Sequence, residues 1–147
     1  MNKSLPNKWV RKAVFDAINN INVTADGVNI TVPCYTSKAT SNGNKEYYTL
    51  LTTQTNLQET TNKCESHWIS SILIDVVTIY NNAGNTGSRL LCDNITDAIR
   101  NATNNLTLDV GSGLKITVQN SDINNLDNVT DTQNVFRNLY RIELTIN

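Results

Sequence analysis

The spacing of apolar residues changes period several times along the chain. From Lys8 to Ile21, the residues Val10, Val14, Ala17, Ile18 and Ile21 fall on one helical stripe, with Trp9 and Ala13 beside it and Lys8, Arg11 and Lys12 on the outer face. This predicts an amphipathic helix. Asp26-Gly27 then supplies a turn before Val28-Asn29-Ile30-Thr31-Val32, whose strict alternation predicts a half-buried strand that Pro33 ends. Tyr47 to Thr53, aromatic and β-branched, forms the next predicted strand. The longest sheet-like run goes from His67-Trp68 to Tyr80, with Ile72, Ile74, Val76 and Tyr80 on one face and Leu73, Val77 and Ile79 on the other. A strand apolar on both faces is either central under two layers or covers a subunit interface on one side. Helical spacing returns at Leu91, Ile95, Ala98, Ile99 and Ala102, predicting a helix from Arg89 to Ala102 with Thr86 or Ser88 as its cap. Two strands close the chain. Leu114, Ile116 and Val118 alternate with polar residues, and so do Phe136, Tyr140, Ile142, Leu144 and Ile146, with Asn138 the exception on the apolar face.

Between these elements lie polar stretches. Thr36 to Glu46 has no apolar residue but alanine, Thr55 to Lys63 is nearly as polar, and Asn120 to Gln133 is rich in Asn and Asp and poor in cations. The first and the last read as long loops, with Thr55 to Lys63 a polar segment leading into the longest strand, and loops of that length in a compact domain are uncommon unless they do something or are disordered. The predicted order is α-β-β-β-α-β-β, without the strand-helix alternation of a parallel, doubly wound sheet. It predicts a single α+β domain over residues 1–147, in which one antiparallel sheet carries two helices on one face, with long polar loops.

Composition narrows the function. The chain has 147 residues, among them 24 Asn and 19 Thr, and a formal net charge of −1. Proteins that grip nucleic acid use clustered Lys and Arg against phosphate, and this balance argues against that class. The start, Met1-Asn2-Lys3-Ser4-Leu5, has charge but no apolar run behind it and reads as no signal peptide. The run Ile72-Leu73-Ile74-Asp75-Val76-Val77 falls far short of the roughly 20 apolar residues of a membrane span. Cys34, Cys64 and Cys92 lack metal-ligand spacing and read as reduced, buried thiols of a cytosolic protein. Seven Asn-X-Ser/Thr triplets occur, little above chance in so Asn-rich a chain.

Catalytic signatures are equally thin. His67 has Ser66, Ser70 and Cys64 nearby in sequence, but no strand-turn-helix holds up a serine, and it reads as a strand-edge histidine. Asp122, Asp127 and Asp131 lack the spacing and terminal Glu of a calcium loop. Gly84-Asn85-Thr86-Gly87-Ser88 precedes a helix as a phosphate cradle would, yet contains no lysine. The reading is a non-enzyme with no cofactor and no metal.

Four stretches resemble a known family: Trp9 to Ile18, Trp68 to Thr78, the helix entered through Gly84-Asn85-Thr86-Gly87-Ser88-Arg89, and Asp131 to Leu144. Together they are similar to the phage tail-terminator or tail-completion proteins, small ring-forming subunits at the junction of head and tail. The resemblance implies a virion protein made in the bacterial host cytoplasm. It implies a homo-oligomeric ring stacked on portal, connector or tail proteins, with DNA passing through the lumen without specific binding and no membrane involved. A neck or short-tail connector ring bound to the portal is the alternative within this class. A small soluble enzyme or ligand-binding protein is the alternative outside it. A ring needs two different complementary faces per subunit. The residues that suggest such contacts are Lys8, Arg11 and Lys12 on the first helix, Lys38, Asn42 and Lys45 in the first long loop, and Asp122, Asp127 and Asp131 in the last; the basic and acidic groups suggest pairing between neighbours.

Overall fold

The computed structural model describes residues 5–25, 27–36, 47–60, 66–80, 89–129 and 134–147. Helix α1 runs Pro6–Ile18, two residues earlier than the stripe suggests, because Pro6 at the first helical position has φ preset and no N–H to satisfy. It ends where Asn19 turns extended and Asn20 takes φ +54°, a left-handed conformation that asparagine tolerates. The expected helix to Ile21 is therefore corrected. Ile21 opens strand β1 (Ile21–Ala25), which pairs antiparallel with β2 (Val28–Val32). Gly27, at φ +76°, supplies the left-handed backbone that so short a reversal needs. Ile21 satisfies a period of two as well as it satisfies 3.6, and the sequence pattern alone does not separate them.

After Pro33 comes a two-residue strand, β3 (Cys34–Tyr35), parallel to β4 (Tyr47–Thr60). Strand β4 pairs antiparallel with β5 (Ser66–Tyr80) across a register shift between Leu51 and Gln54. Helix α2 (Arg89–Thr103) and a one-turn 3-10 helix (Val110–Ser112) precede the closing pair, β6 (Ile116–Val129) and β7 (Asn134–Ile146). The main sheet has the order β3-β4-β5-β7-β6 and is antiparallel apart from β3. The α+β class and the two helices on one face of an essentially antiparallel sheet agree with the sequence reading.

The core lies on one face only. Val10, Val14 and Ile18 of α1 and Cys92, Ile95 and Ile99 of α2 pack with Ile72, Ile74 and Val76 of β5 and Tyr140, Ile142, Leu144 and Ile146 of β7. Each aliphatic side chain among these stabilises the fold by about 1.5–3 kcal/mol relative to exposure. Helix α1 sits over β4 and β5, α2 over β5 and β7, and the β1–β2 hairpin beside α2. Neither helix extends its layer fully over β6.

Two of the polar stretches, one of them an expected loop, are strands in part. Thr55 to Thr60 continues β4, and Asn120 to Val129 continues β6; the remainder, Thr61 to Lys63 and Thr130 to Gln133, lies outside the described residues, as does all of the first loop but Thr36. These segments have no apolar alternation because they bury almost nothing: residues 121–128 are exposed on both faces. Backbone hydrogen bonds to a neighbouring strand hold them, and hydrophobic periodicity does not register such bonds.

Candidate assembly surface

Three features outside the core hold the polar and charged groups of interest: the sheet's uncovered face, its two lateral edges, and a polar cluster where α2 meets β7. The uncovered face follows from the register. Leu50, Asp75 and Leu139 form one row across β4, β5 and β7; Tyr48, Val77 and Arg137 form the next. Among the described residues no helix or strand covers this face, and its apolar members, including buried Val77, are absent from the core cluster. The two-faced pattern of the β5 sequence thus belongs to a central strand that has, among the described residues, a helical layer on one side.

At the middle of this face Asp75, 4% exposed, is gripped by both arms of the Arg137 guanidinium, whose Nε lies 3.2 Å from Oδ1. The forked geometry satisfies both carboxylate oxygens, which a buried acid requires. The hydrogen bond to Asp75 raises the Arg137 pKa against the opposing effect of burial. Burial, with Asp75 nearby as the lesser cause, also pushes the Tyr48 phenol up. The arrangement places a locked ion pair within an apolar surface.

The polar cluster explains Asn138, the exception in the closing alternation. Its side chain is fully buried and fully used: Nδ2 donates to Thr96 Oγ1 at 2.8 Å and to Asp93 Oδ1 at 3.1 Å, while Oδ1 accepts from Arg89 Nη2 at 3.0 Å. The same Arg89 nitrogen lies 3.1 Å from Asp127 Oδ1, which ties the end of β6 to the start of α2. Arg89 Nη1 has no hydrogen-bond partner and stands 3.9 Å from Asp93, an ion contact too long to be a hydrogen bond.

The edges are the third feature. Among the described residues strand β6 is paired on one side only, with β7, over 14 residues that include neither proline nor lysine nor arginine. Val118 (49% exposed), Ile123 (49%) and Leu126 (47%) project from it. On the opposite margin β3 pairs with Thr49 and Leu50, leaving the edge of β4 from Leu51 to Thr60 without a partner strand among the described residues. Leu57, 58% exposed, projects there.

The residues singled out from sequence divide accordingly. Lys8 is exposed, its Nζ 4.7 Å from the Trp9 ring centre; Arg11 donates to the Thr36 carbonyl at 3.4 Å; Lys12 pairs with Asp16 at 2.7 Å, and this hydrogen bond raises its pKa. Asp122 is exposed on the uncovered face opposite Arg141 in register, and Asp127 is held by Arg89. Lys12 and Asp127 are thus already paired within the chain, while the basic helix and the acidic strand lie toward opposite margins of the sheet. Lys38, Asn42, Lys45 and Asp131 lie outside the described residues. Arg89, the Asp75–Arg137 pair and the apolar residues of the edges were missed; the absence of Pro, Lys and Arg from Ile116–Val129 was the available signal.

Other candidate chemistry is present in outline. His67 Nε2 lies 3.2 Å from Glu59 Oε2 across the β4–β5 pair. Burial pushes the Cys34 thiol up and the Cys92 thiol up to about 11, which leaves both poor nucleophiles near neutrality. Among the described residues no group of three or more His, Cys, Asp and Glu side chains is placed to hold a metal ion. An open cleft of about 420 Å³ between α1 and the 3-10 segment is lined by Trp9, Lys12, Asp16, Leu108, Asp109 and Val110 among others.

No family model matches this chain, and no curated protein matches it. Among solved structures, a chain from the virion of a native gene transfer agent particle is similar, with a TM-score of 0.43 and 15% identity over 76% of this chain and 78% of that one. That partial likeness of shape carries no functional weight.

Proposed function

We propose that this chain is a virion structural subunit that assembles into a ring at the phage head–tail junction, joins the portal or connector side to the tail, and lines the passage for DNA. The observation that carries the reading is the pair of open sheet edges. A cyclic oligomer uses two different faces of every subunit, and among the described residues this sheet ends on opposite sides in two different margins, the outer edge of β6 and the Leu51–Thr60 edge of β4, without a partner strand. The resemblance of the chain to tail-terminator proteins supplies the location. The near-neutral charge suits a channel that DNA slides through, because tight phosphate binding would hold the DNA in place.

Negative-stain electron microscopy and native mass spectrometry of the purified chain test the reading. Closed rings, alone or on addition of tail or portal proteins, are the expected result. A strict monomer under all of these conditions overturns it. Rings that stack on portal and ignore tail tubes point to the neck-ring alternative.

A further inference from the structure

We infer that copies of this chain join by sheet extension: β6 of one copy pairs antiparallel with the Leu51–Thr60 segment of β4 in the next, so that the sheet continues from subunit to subunit. This rests on the ring reading and specifies its contact.

The first support is the state of the edges. Isolated proteins blunt an edge strand with lysine, proline, shortness or a covering element, because bare N–H and C=O groups template pairing with another chain. Strand β6 is long, contains neither lysine nor proline, keeps an unbroken register with β7 from Val118 to Val129, and is exposed on both faces over residues 121–128, with Asp122 and the Arg89-held Asp127 as its only charges. Its polar side chains are largely amides: Gln119, Asn120, Asn124, Asn125 and Asn128.

Strand direction gives the second support. Strand β4 runs antiparallel to β5, β5 to β7, and β7 to β6. Strands β4 and β6 therefore run in opposite directions. A copy set beside the first without inversion, as in successive subunits of a ring, brings β4 against β6 antiparallel and keeps the helical faces on the same side. Hydrogen-bonding sense and layer order are both preserved.

The rows give the third. On the uncovered face Leu57, Ile69, Thr145 and Val118 lie on one row across the sheet, so the two exposed apolar side chains Leu57 and Val118 end that row on opposite margins. On the helical face Ile123, Tyr140, Ile74 and Leu51 share another row. Pairing in this register sets Val118 beside the neighbour's Leu57, and Ile123 at the margin of the neighbour's core next to Leu51.

Charge disfavours the simplest competitor. Pairing β6 with β6 across a two-fold axis near Asp122 brings the Asp122 carboxylates of both copies together with no cation on either strand, and like charges on adjacent strands repel. It also leaves the β4 edge bare. The margin of β4 instead lies under α1, which carries Lys8 and Arg11, and its single carboxylate, Glu59, is occupied by His67.

Cross-linking tests this directly. In a Cys64→Ser background, Leu57→Cys and Val118→Cys proteins are mixed and treated with a short bismaleimide. A Leu57–Val118 cross-link in the mixture, at least tenfold above either protein alone, is expected, as is a ladder of covalent oligomers when both cysteines are on one chain. Rings without this cross-link, or Val118–Val118 cross-links in the single variant, overturn sheet extension and leave the ring reading standing. The absence of assembly, with or without tail and portal proteins, overturns both. Ile123→Lys supplies an independent readout. Its side chain is half exposed in the single chain, so the circular dichroism and melting midpoint should match the parent while self-association weakens at least tenfold. Unchanged association overturns the inference.

Discussion

Asp75 and Arg137 show how exposure decides the value of a charge pair. The carboxylate is nearly out of water, while the arginine side chain keeps 36% of its accessible surface. Removing the arginine strands a buried charge; removing the acid leaves a cation that water can reach. We therefore expect Arg137→Met to cost roughly 2–3 kcal/mol, somewhat under the cost of breaking a fully enclosed pair, and Asp75→Asn about 1 kcal/mol. Urea unfolding of the two variants measures the order, and a costlier Asp75→Asn contradicts the account. The thiol of Cys92 makes a pH prediction. Burial holds its proton up to about pH 11, whereas in the unfolded chain the thiol ionises near its ordinary value of 9. Between those values the unfolded state binds fewer protons, so the contribution of this group to stability is intact below pH 9 and declines as pH rises toward 11. Cys92→Ala should flatten the fall of the melting midpoint over that window. An equal slope in parent and variant would refute the assignment. Asn138 is visible in the sequence as a break in alternation, but its partners Arg89, Asp93 and Thr96 lie more than 40 positions away. Folding alone brings them together.

Elements were legible in proportion to what they bury. Helix α2 begins at Arg89 as its spacing indicates, since Cys92, Ile95 and Ile99 are all withdrawn from water on one face. Ile99→Ala should cost about 2–5 kcal/mol by leaving a cavity under that face, measured by denaturant unfolding. A cost below 1 kcal/mol would mean that the helix packs more loosely than its burial implies. Strand β7 alternates cleanly for the same reason: its even-numbered residues from Asn138 to Ile146 face the helices. The outer part of β6 defeated the pattern because it has almost no buried side. Val118→Thr should accordingly change the stability of the single chain by less than about 0.5 kcal/mol, the range of surface substitutions. A large loss would show that this edge is already packed within one copy.

At the scale of the whole molecule the structure is a five-stranded sheet with two helices on one face and a separate β1–β2 hairpin, a second face that carries a locked ion pair and that no helix or strand covers among the described residues, and two unlike margins. If the proposed ring forms, so near-neutral a subunit should pass DNA without retaining it. Duplex DNA in about 100 mM salt should show no shift with assembled protein in an electrophoretic assay, since few cations are available to displace counterions. Retention that weakens steeply with salt would contradict the passage role. The sequence by itself determined the α+β class, both helices, the strands that carry the core and the low charge, because each is written in local spacing or in bulk composition. Only the tertiary structure decided that β6 reaches Val129, that the helices lie on one side of β5, that Lys12 and Asp127 are already paired, and that β4 and β6, at the two margins, run in opposite directions. Those facts depend on which backbones lie side by side, and strand pairing through main-chain hydrogen bonds is nearly the same for every side chain.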